Sequence, residues 1–457
     1  MRASTDRYGK PNATLHCHLL LSVAFLFAAS CQPAALAEDP ESSQSIVARD
    51  VSTWLDTSID KWVDFYRELH RHPELSGVEV ETASRIATRW RDIGFAVTPK
   101  VGETGVVGIL ENGDGPTIML RCDMDALPVH EQTGAEYQSK HSGVMHACGH
   151  DVHMTAVTAA GSYFAAHRDR WSGRLMLIAQ PAEETGRGSM GMLRDGLFKR
   201  FKKPDAAIAF HVASHLPTGV IGYRVGYAQA NVDSVDIVLY GRGGHGSKPH
   251  TTIDPISMAG QLIVSLQTIV SREIDPTEPA VVTVGSVRGG TRYNIIPDEC
   301  RLQLTVRSYG PETRSKLLKA IQRKAEAVAH GGGAEAPSVT VSESTPSLLN
   351  DAELAAKIRP GFLEFIPPEK LIETPRSMGG EDFSRYGIAG VPILMFAVGS
   401  VDASILDGFE KSQRPPPSLH SSKYLPDAAA TVRVATQALV VAATRAGLGE
   451  TSQPDAS

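Results

Sequence analysis

The sequence predicts an α/β fold with a mainly parallel sheet, interrupted by an inserted ferredoxin-like α+β unit. Three observations carry this. Short apolar runs alternate with helical patterns over the first half of the chain, as strands and crossover helices do in a parallel sheet. Near Ala230 the order changes to β-α-β-β-α-β, the split pattern of a ferredoxin-like unit. Beyond about residue 345 the first pattern resumes.

Ile59 to His70 reads as a helix, with Trp62, Phe65, Tyr66 and Leu69 at i, i+3, i+4 and i+7, and His72-Pro73-Glu74 ends it. Thr82 to Ile93 is a second helix, stopped by Gly94. Strands are expected at Val106 to Leu110, Thr117 to Arg121, Leu175 to Ala179 and Ala206 to Phe210. The inserted unit has strands at Val232 to Tyr240, Ala280 to Val287, Glu299 to Arg307 and Ser338 to Glu343. Its helices are Pro255 to Ser271 and Glu312 to Ala329, followed by a turn at Gly331-Gly332-Gly333. A helix around Ala352, a strand at Pro392 to Ala397 and a helix at Ala428 to Arg445 complete the larger domain. The expected boundaries are 46–229 and 346–447 for its two parts and 230–345 for the insertion.

A net charge of -6 gives no reason to expect nucleic acid or a membrane surface as partner. After the start of the chain no apolar run approaches the ~20 residues of a membrane helix. The start itself reads as a secretory signal peptide over 1–37: Arg2, Arg7 and Lys10, then apolar Leu19 to Ala29, then Ala35-Leu36-Ala37 as cleavage site. Ser30-Cys31 resembles a poor lipoprotein site, so soluble export, periplasmic or secreted, ranks above lipid anchoring at Cys31. Asp39 to Asp50 is polar and expected to be a flexible new N-terminus. Cleavage would leave Cys122, Cys148 and Cys300, too few for a disulfide framework.

The densest chemistry lies in Met145 to His153, where a thiol, three imidazoles and a carboxylate fall within one short stretch. Cys148 and His150 would point roughly 200° apart on a regular helix, so they converge only if Gly149 sits in a turn. Asp151 to Phe164 is helix-compatible, so the turn opens a helix, whose first N–H groups favour a thiolate. Thiolate and imidazole suit a zinc-like metal. A buried free cysteine beside satisfied histidines, or a cysteine nucleophile activated by His150, fits this stretch as well.

Four polar clusters follow expected strands: Asp123-Met124-Asp125, Glu183-Glu184, His211 and His420. Open α/β sheets bind ligands beyond the carboxyl ends of their strands, so the four can share one site. Adjacent residues of an extended segment face opposite ways, which lets one glutamate ligate a metal while the other takes a proton from the attacking water. Taken alone, a Glu pair is usually solvated surface; joint occurrence at strand ends gives it weight. The chain has no His-Glu-x-x-His segment and no Pro-Cys-x-x-Cys, the marks of a common zinc protease and a nucleobase deaminase. Gly241 to Gly246 lacks the Lys-Ser/Thr ending of a phosphate loop and instead presents His245 on a glycine-rich turn.

These residues resemble the dinuclear metalloamidohydrolases that include aminoacylases, hippurate hydrolases and indole-acetyl-amino-acid hydrolases. The matching segments are Arg121 to Pro128, Met145 to His153, Gln180 to Glu184, Phe210-His211, Gly241 to His250 with Asp254-Pro255, Asn294 to Asp298, Met378 to Phe383 and His420-Ser421. The resemblance implies a metallopeptidase-like catalytic domain with an inserted dimerisation (lid) domain. It implies two divalent ions (Mn, Co, Ni or Zn) held by Cys148, His150, Glu184, His211 and His420. Glu183 would be general base and then acid, Asp125 would orient the metal site, and His245 would stabilise the oxyanion, often from across a homodimer. Asn294 and Arg307 match positions near the substrate's carboxylate. The implied reaction is hydrolysis of N-acyl amino acids; a dipeptidase or carboxypeptidase on the same site, or a silent metal-dependent binding protein, are the alternatives. Thr185-Gly186-Arg187-Gly188 and His420-Ser421-Ser422-Lys423 depart from the usual pattern and bear on substrate choice more than on metal binding.

The mature chain should begin near Glu38, as mass spectrometry of protein from the native host would show. An intact Met1 refutes export by cleavage, and a lipid on Cys31 makes it a membrane-anchored protein.

Overall fold

The computed structural model describes residues 46–342 and 345–449. The expected leader and cleavage site, and Glu343 at the end of the last strand of the insertion, lie outside them.

In chain order the first part contains α1 (Ile46–Arg71), α2 (Val80–Asp92), β1 (Ala96–Val101), β2 (Gly105–Asn112), β3 (Thr117–Asp123), α3 (His150–Ala166) and β4 (Gly173–Gln180). The short helices α4 (Gly188–Arg194) and α5 (Leu197–Arg200) follow, then β5 (Ala206–Pro217), β6 (Ile221–Tyr223) and β7 (Gly226–Gln229). The insertion comprises β8 (Asn231–Tyr240), β9 (Gly244–His245), α6 (Pro255–Arg272), β10 (Val281–Gly289), β11 (Ile295–Ile296), β12 (Glu299–Ser308), α7 (Pro311–Gly331) and β13 (Ser338–Val341). The chain then returns through β14 (Leu348–Asn350), α8 (Ala352–Phe362), β15 (Leu371–Glu373), α9 (Ser384–Ile388), β16 (Ile393–Val401), α10 (Ala403–Lys411) and α11 (Ala428–Ala446).

The large sheet has the order β1-β2-β4-β3-β5-β16-β6-β15. Its centre, β4-β3-β5-β16, is parallel, whereas β1, β2 and β6 join antiparallel. Central strands covered on both faces read as unbroken apolar runs, and every residue of β3 is buried. Its side chains alternate between two cores. Ile118, Leu120 and Cys122 join a core with α1, α3 and α11, while Met119 joins Met192, Phe383 and Tyr386 on the other face. Arg121 shares the parity of Met119, a charge in the middle of an apolar strand.

The second sheet, β10-β12-β8-β13, is antiparallel throughout. That is the strand order of a ferredoxin-like unit. β8 and β12 alternate buried and more open residues, as sheets with one covered face do. Val235, Ile237, Leu239, Leu302 and Leu304 pack against α6 and α7. Asp254 caps α6 by accepting from the N–H groups of Ile256 and Ser257. Both chain crossings into this unit run side by side. β7 pairs antiparallel with β14, and Val232 and Thr345 exchange backbone hydrogen bonds of 2.9 and 3.0 Å.

Two expectations need correction. Residues from Ile46 onward are helical, not a loose terminus, because Ala48, Val51 and Leu55 continue the buried stripe of α1 through polar surroundings. β5 does not stop at Phe210; it runs to Pro217 because β16 pairs alongside through Val212 and Ala213. His211 is therefore within the strand. The short or amphipathic pieces β1, β6, β7, β14, β15 and α10 give no periodicity long enough to read.

Candidate metal centre

Gly149 makes the convergence possible. Its φ of 83° lies in the left-handed region, directly before α3, and an added Cβ would come 2.6 Å from Val212 Cγ2. Cys148 Sγ then lies 3.5 Å from His211 Nε2 and 3.3 Å from His420 Nε2. His420 Nε2 is 3.4 Å from Glu184 Oε1, and His150 Nε2 is 3.9 Å from the same oxygen and 4.0 Å from Glu183 Oε2. Ala182 and His420 both hold positive φ, 49° and 68°, backbone strain of the kind that gathers at functional sites.

The imidazoles are oriented from behind. His150 Nδ1 donates to the Asp125 carbonyl at 2.7 Å, and His211 Nδ1 donates to the Val212 carbonyl at 2.8 Å. Both Nε2 lone pairs are thereby left for the centre. Asp125 Oδ2 accepts from Ser76 Oγ at 2.6 Å and from the Glu184 N–H at 3.0 Å, tying the loop after β3 to the one after β4. Burial raises the Asp125 carboxyl, but His150, Ser76 and the Glu184 amide outweigh it and hold it low.

His150 Nε2 and Glu184 Oε1 are buried and have no hydrogen-bond partner, a costly state for polar atoms. Donors 3.3–4.0 Å apart are spaced as ligands that each lie about 2.0–2.3 Å from a shared cation. Burial pushes the Cys148 thiol well above its usual range, with Glu184 and Glu183 adding to the effect. A divalent cation would reverse that shift. The donor set thus fits a thiolate- and imidazole-rich metal site, formed from the groups Cys148–His150–His211, Cys148–Glu184–His420 and His150–Glu183–Glu184.

The remaining histidines of the motif serve otherwise. His153 Nδ1 donates to Asp123 at 2.7 Å and its Nε2 accepts from the Val212 N–H at 3.0 Å, so it has no free lone pair. Burial lowers it to about 4. His146 is buried, also lowered to about 4, and stands outside the donor groups.

Arg307 lines the same cavity, of about 850 Å³. His245 and Asn294 do not. They sit exposed on the small ribbon where β9 pairs with β11, His245 facing Ile295, and the His245 ring accepts from the Ser247 N–H at 3.1 Å.

Sequence reasoning missed the support beneath Glu183. Arg121 donates to Asp123 at 2.8 Å, Glu381 at 2.9 Å, Asp382 at 3.2 Å and Gln180 Oε1 at 3.1 Å, entirely out of water. Glu183, Glu381 and Asp382 bring their carboxylates within 4.8 Å of one another. Burial, then Glu381 and Asp382, push the Glu183 carboxyl well above its usual range. The available signal was the Arg itself, since a charge inside an apolar strand demands buried partners.

An open α/β sheet with this donor set beyond its central strands defines a metal-dependent amidohydrolase. The chain belongs to peptidase family M20/M25/M40, which it matches over residues 119–432. It is 36% identical to N-acetyl-L-cysteine deacetylase of Bacillus subtilis (strain 168) over 333 residues, 73% of this chain and 79% of the relative. Thermostable carboxypeptidase 2 of Saccharolobus solfataricus is 37% identical over 347 residues, 75% of this chain and 86% of the relative. A crystal structure described as a dinuclear metal binding peptidase from the M20 family, from Bacillus subtilis, has a TM-score of 0.71 and 30% identity. The match covers 85% of this chain and 98% of that one.

A buried pair behind the centre gives a pH test. His70 Nδ1 is 2.6 Å from Asp151 Oδ2 and its Nε2 is 3.2 Å from Glu131 Oε1. Burial lowers its pKa, but the two carboxylates more than compensate and raise it from 6.5 to about 9. A raised folded pKa stabilises fully below 6.5, and that stability is lost as pH rises through about 9. Asp151 and Glu131, both lowered, stay ionised across this window. Relative to His70→Gln, the wild type should therefore lose stability from pH 6.5 to above 9 in denaturant titrations. A constant difference would count against the charged His70.

Proposed function

We propose that the protein hydrolyses the amide bond of N-acyl amino acids, with two divalent ions held by Cys148, His150, Glu184, His211 and His420. The carrying observation is the division of labour at Glu183-Glu184. Glu184 presents an unpartnered oxygen to the histidines, while Glu183 sits over a carboxylate cluster that favours its protonated form. When bound, the ions, of the Mn, Co, Ni or Zn type, would acidify the attacking water and polarise the amide carbonyl. Glu183 accepts the water's proton as it attacks, and a raised pKa lets it return that proton to the leaving amine. Asp125 fixes the His150 ring. Arg307, held by Nη1 donation to the Met378 carbonyl at 2.6 Å, is placed to take the substrate's carboxylate. The carboxypeptidase relative favours a second reading, in which the same Arg307 takes the C-terminal carboxylate of a peptide.

Cys148→Ala should lose metal and activity together. Glu183→Gln should keep its metal and lose about 10²-fold or more in turnover of an N-acyl amino acid panel. Near-normal turnover in Glu183→Gln removes it as the base. Cleavage of peptides alone selects the second reading, and no cleavage of either class by metal-loaded wild type leaves a binding protein.

We also propose an exported homodimer joined through the insertion, in which His245 of one chain stabilises the oxyanion in the other's site and Asn294 reaches the substrate there. Exposed Tyr293, Ile295 and Val287 on that unit, and the open edge of β10, support pairing with a second copy. Inactive His245→Ala and inactive Glu183→Gln should complement each other on subunit exchange. About a quarter of wild-type activity should return, since half the dimers are mixed and each has one intact site of two. Confirmed exchange without activity excludes a shared site.

A further inference from the structure

One wall of the cavity is the segment from Thr374 to Glu381, and three arginines from different elements are set along it. Arg224, beyond β6, donates through Nη1 to the Thr374 carbonyl at 2.6 Å. Arg307, on β12, donates to the Met378 carbonyl. Arg376 belongs to the wall itself, its guanidinium 5.0 Å from the ring centre of Tyr309, whose hydroxyl donates to the Ser377 carbonyl at 2.9 Å. All three line the cavity together with Glu183 and Glu184.

This is more positive charge than one carboxylate requires. Burial raises the Tyr309 hydroxyl, and the charges of Arg376 and Arg224 pull it back. Like charges gathered at a low-dielectric wall repel. Glu183, Glu184 and Glu381 line the same cavity, but the carboxylate that pairs with Arg224 is Glu373, 3.5 Å away and mostly exposed, and such surface pairs offset little. Arg224 Nε is moreover buried with no hydrogen-bond partner. Arg224, held by the Thr374 carbonyl, and Arg376 both line a cavity of about 850 Å³, and two guanidiniums along one wall suit a planar anion. Arg307 meets the carboxylate that every N-acyl amino acid carries.

We propose that Arg224 and Arg376 bind a second carboxylate of the substrate, so that the preferred substrates are N-acyl amino acids bearing two acidic groups. This rests on the N-acyl amino acid reading of the site. The second carboxylate can belong to the amino acid side chain, as in an N-acyl glutamate, or to the acyl group, as in an N-succinyl amino acid. Arg224 is held by its Nη1 bond to the Thr374 carbonyl, while exposed Arg376 closes over the anion from the wall.

The test compares charged and neutral isosteres: N-acetylglutamate against N-acetylglutamine, and N-succinylalanine against N-butyrylalanine. Wild type should favour the charged member of one pair in kcat/KM, and which pair responds identifies the source. In Arg224→Gln and in Arg376→Gln that preference should fall about tenfold, mainly through KM, as expected for loss of a charged hydrogen bond. Equal rates on charged and neutral members in wild type, or a preference untouched in both variants, overturns the proposal. A calorimetric arm separates this from failure of the catalytic reading. Metal-loaded wild type should bind glutarate more tightly than butyrate, and each Arg variant should lose the difference. Should no N-acyl amino acid be cleaved, the function falls while this binding difference still decides the second-carboxylate site, and absence of any difference refutes it.

Discussion

Everything at the centre depends on keeping an unusual density of acid groups out of water, and Arg121 is the interaction that permits it. It joins Asp123 at the end of β3, Gln180 at the end of β4 and the Glu381–Asp382 turn before α9. Three separate chain segments are thereby fixed to one planar cation. A single guanidinium cannot neutralise every carboxylate around it, and the balance appears as displaced acidity: burial lifts Asp382 to about 7, against the pull of Arg121. Charge is left over, and it is left beside Glu183.

The same economy governs the imidazoles. Three rings, His150, His211 and His153, have their Nδ1 or their whole hydrogen-bonding capacity assigned by backbone or by Asp123, so their roles are set before any ligand arrives. His150 and His211 turn free Nε2 atoms inward, whereas His153 is fully occupied. Residue type alone could not separate them; their hydrogen-bond partners do.

How much was legible in the sequence follows from these facts. The parallel strands were readable because burial on both faces makes them continuous apolar runs, and the turn at Gly149 because Cys148 and His150 cannot otherwise meet. The antiparallel unit was readable from the β-α-β-β-α-β order of elements beyond Ala230. The ligand candidates were visible as clusters after strand ends, since the fold places strand ends together. Hidden were contacts made only by the tertiary fold: Arg121 meeting Glu381 across 260 residues of chain, and Arg224 meeting the Thr374 carbonyl. His245 and Asn294 were singled out for the oxyanion and the substrate's carboxylate, yet a single chain puts both on the β9–β11 ribbon, outside the cavity.

The double crossing between the two sheets has a mechanical meaning. β7 and β14 are hydrogen-bonded to each other, and the Val232–Thr345 pair continues the contact toward the insertion. The four-stranded unit is thus joined through two hydrogen-bonded segments instead of two independent tethers. A change in the angle between the two sheets would have to pass through this paired segment. Val232 and Thr345 also line the cavity. A molecule filling the cavity at Val232 and Thr345 would therefore press on the very pair that links the two sheets.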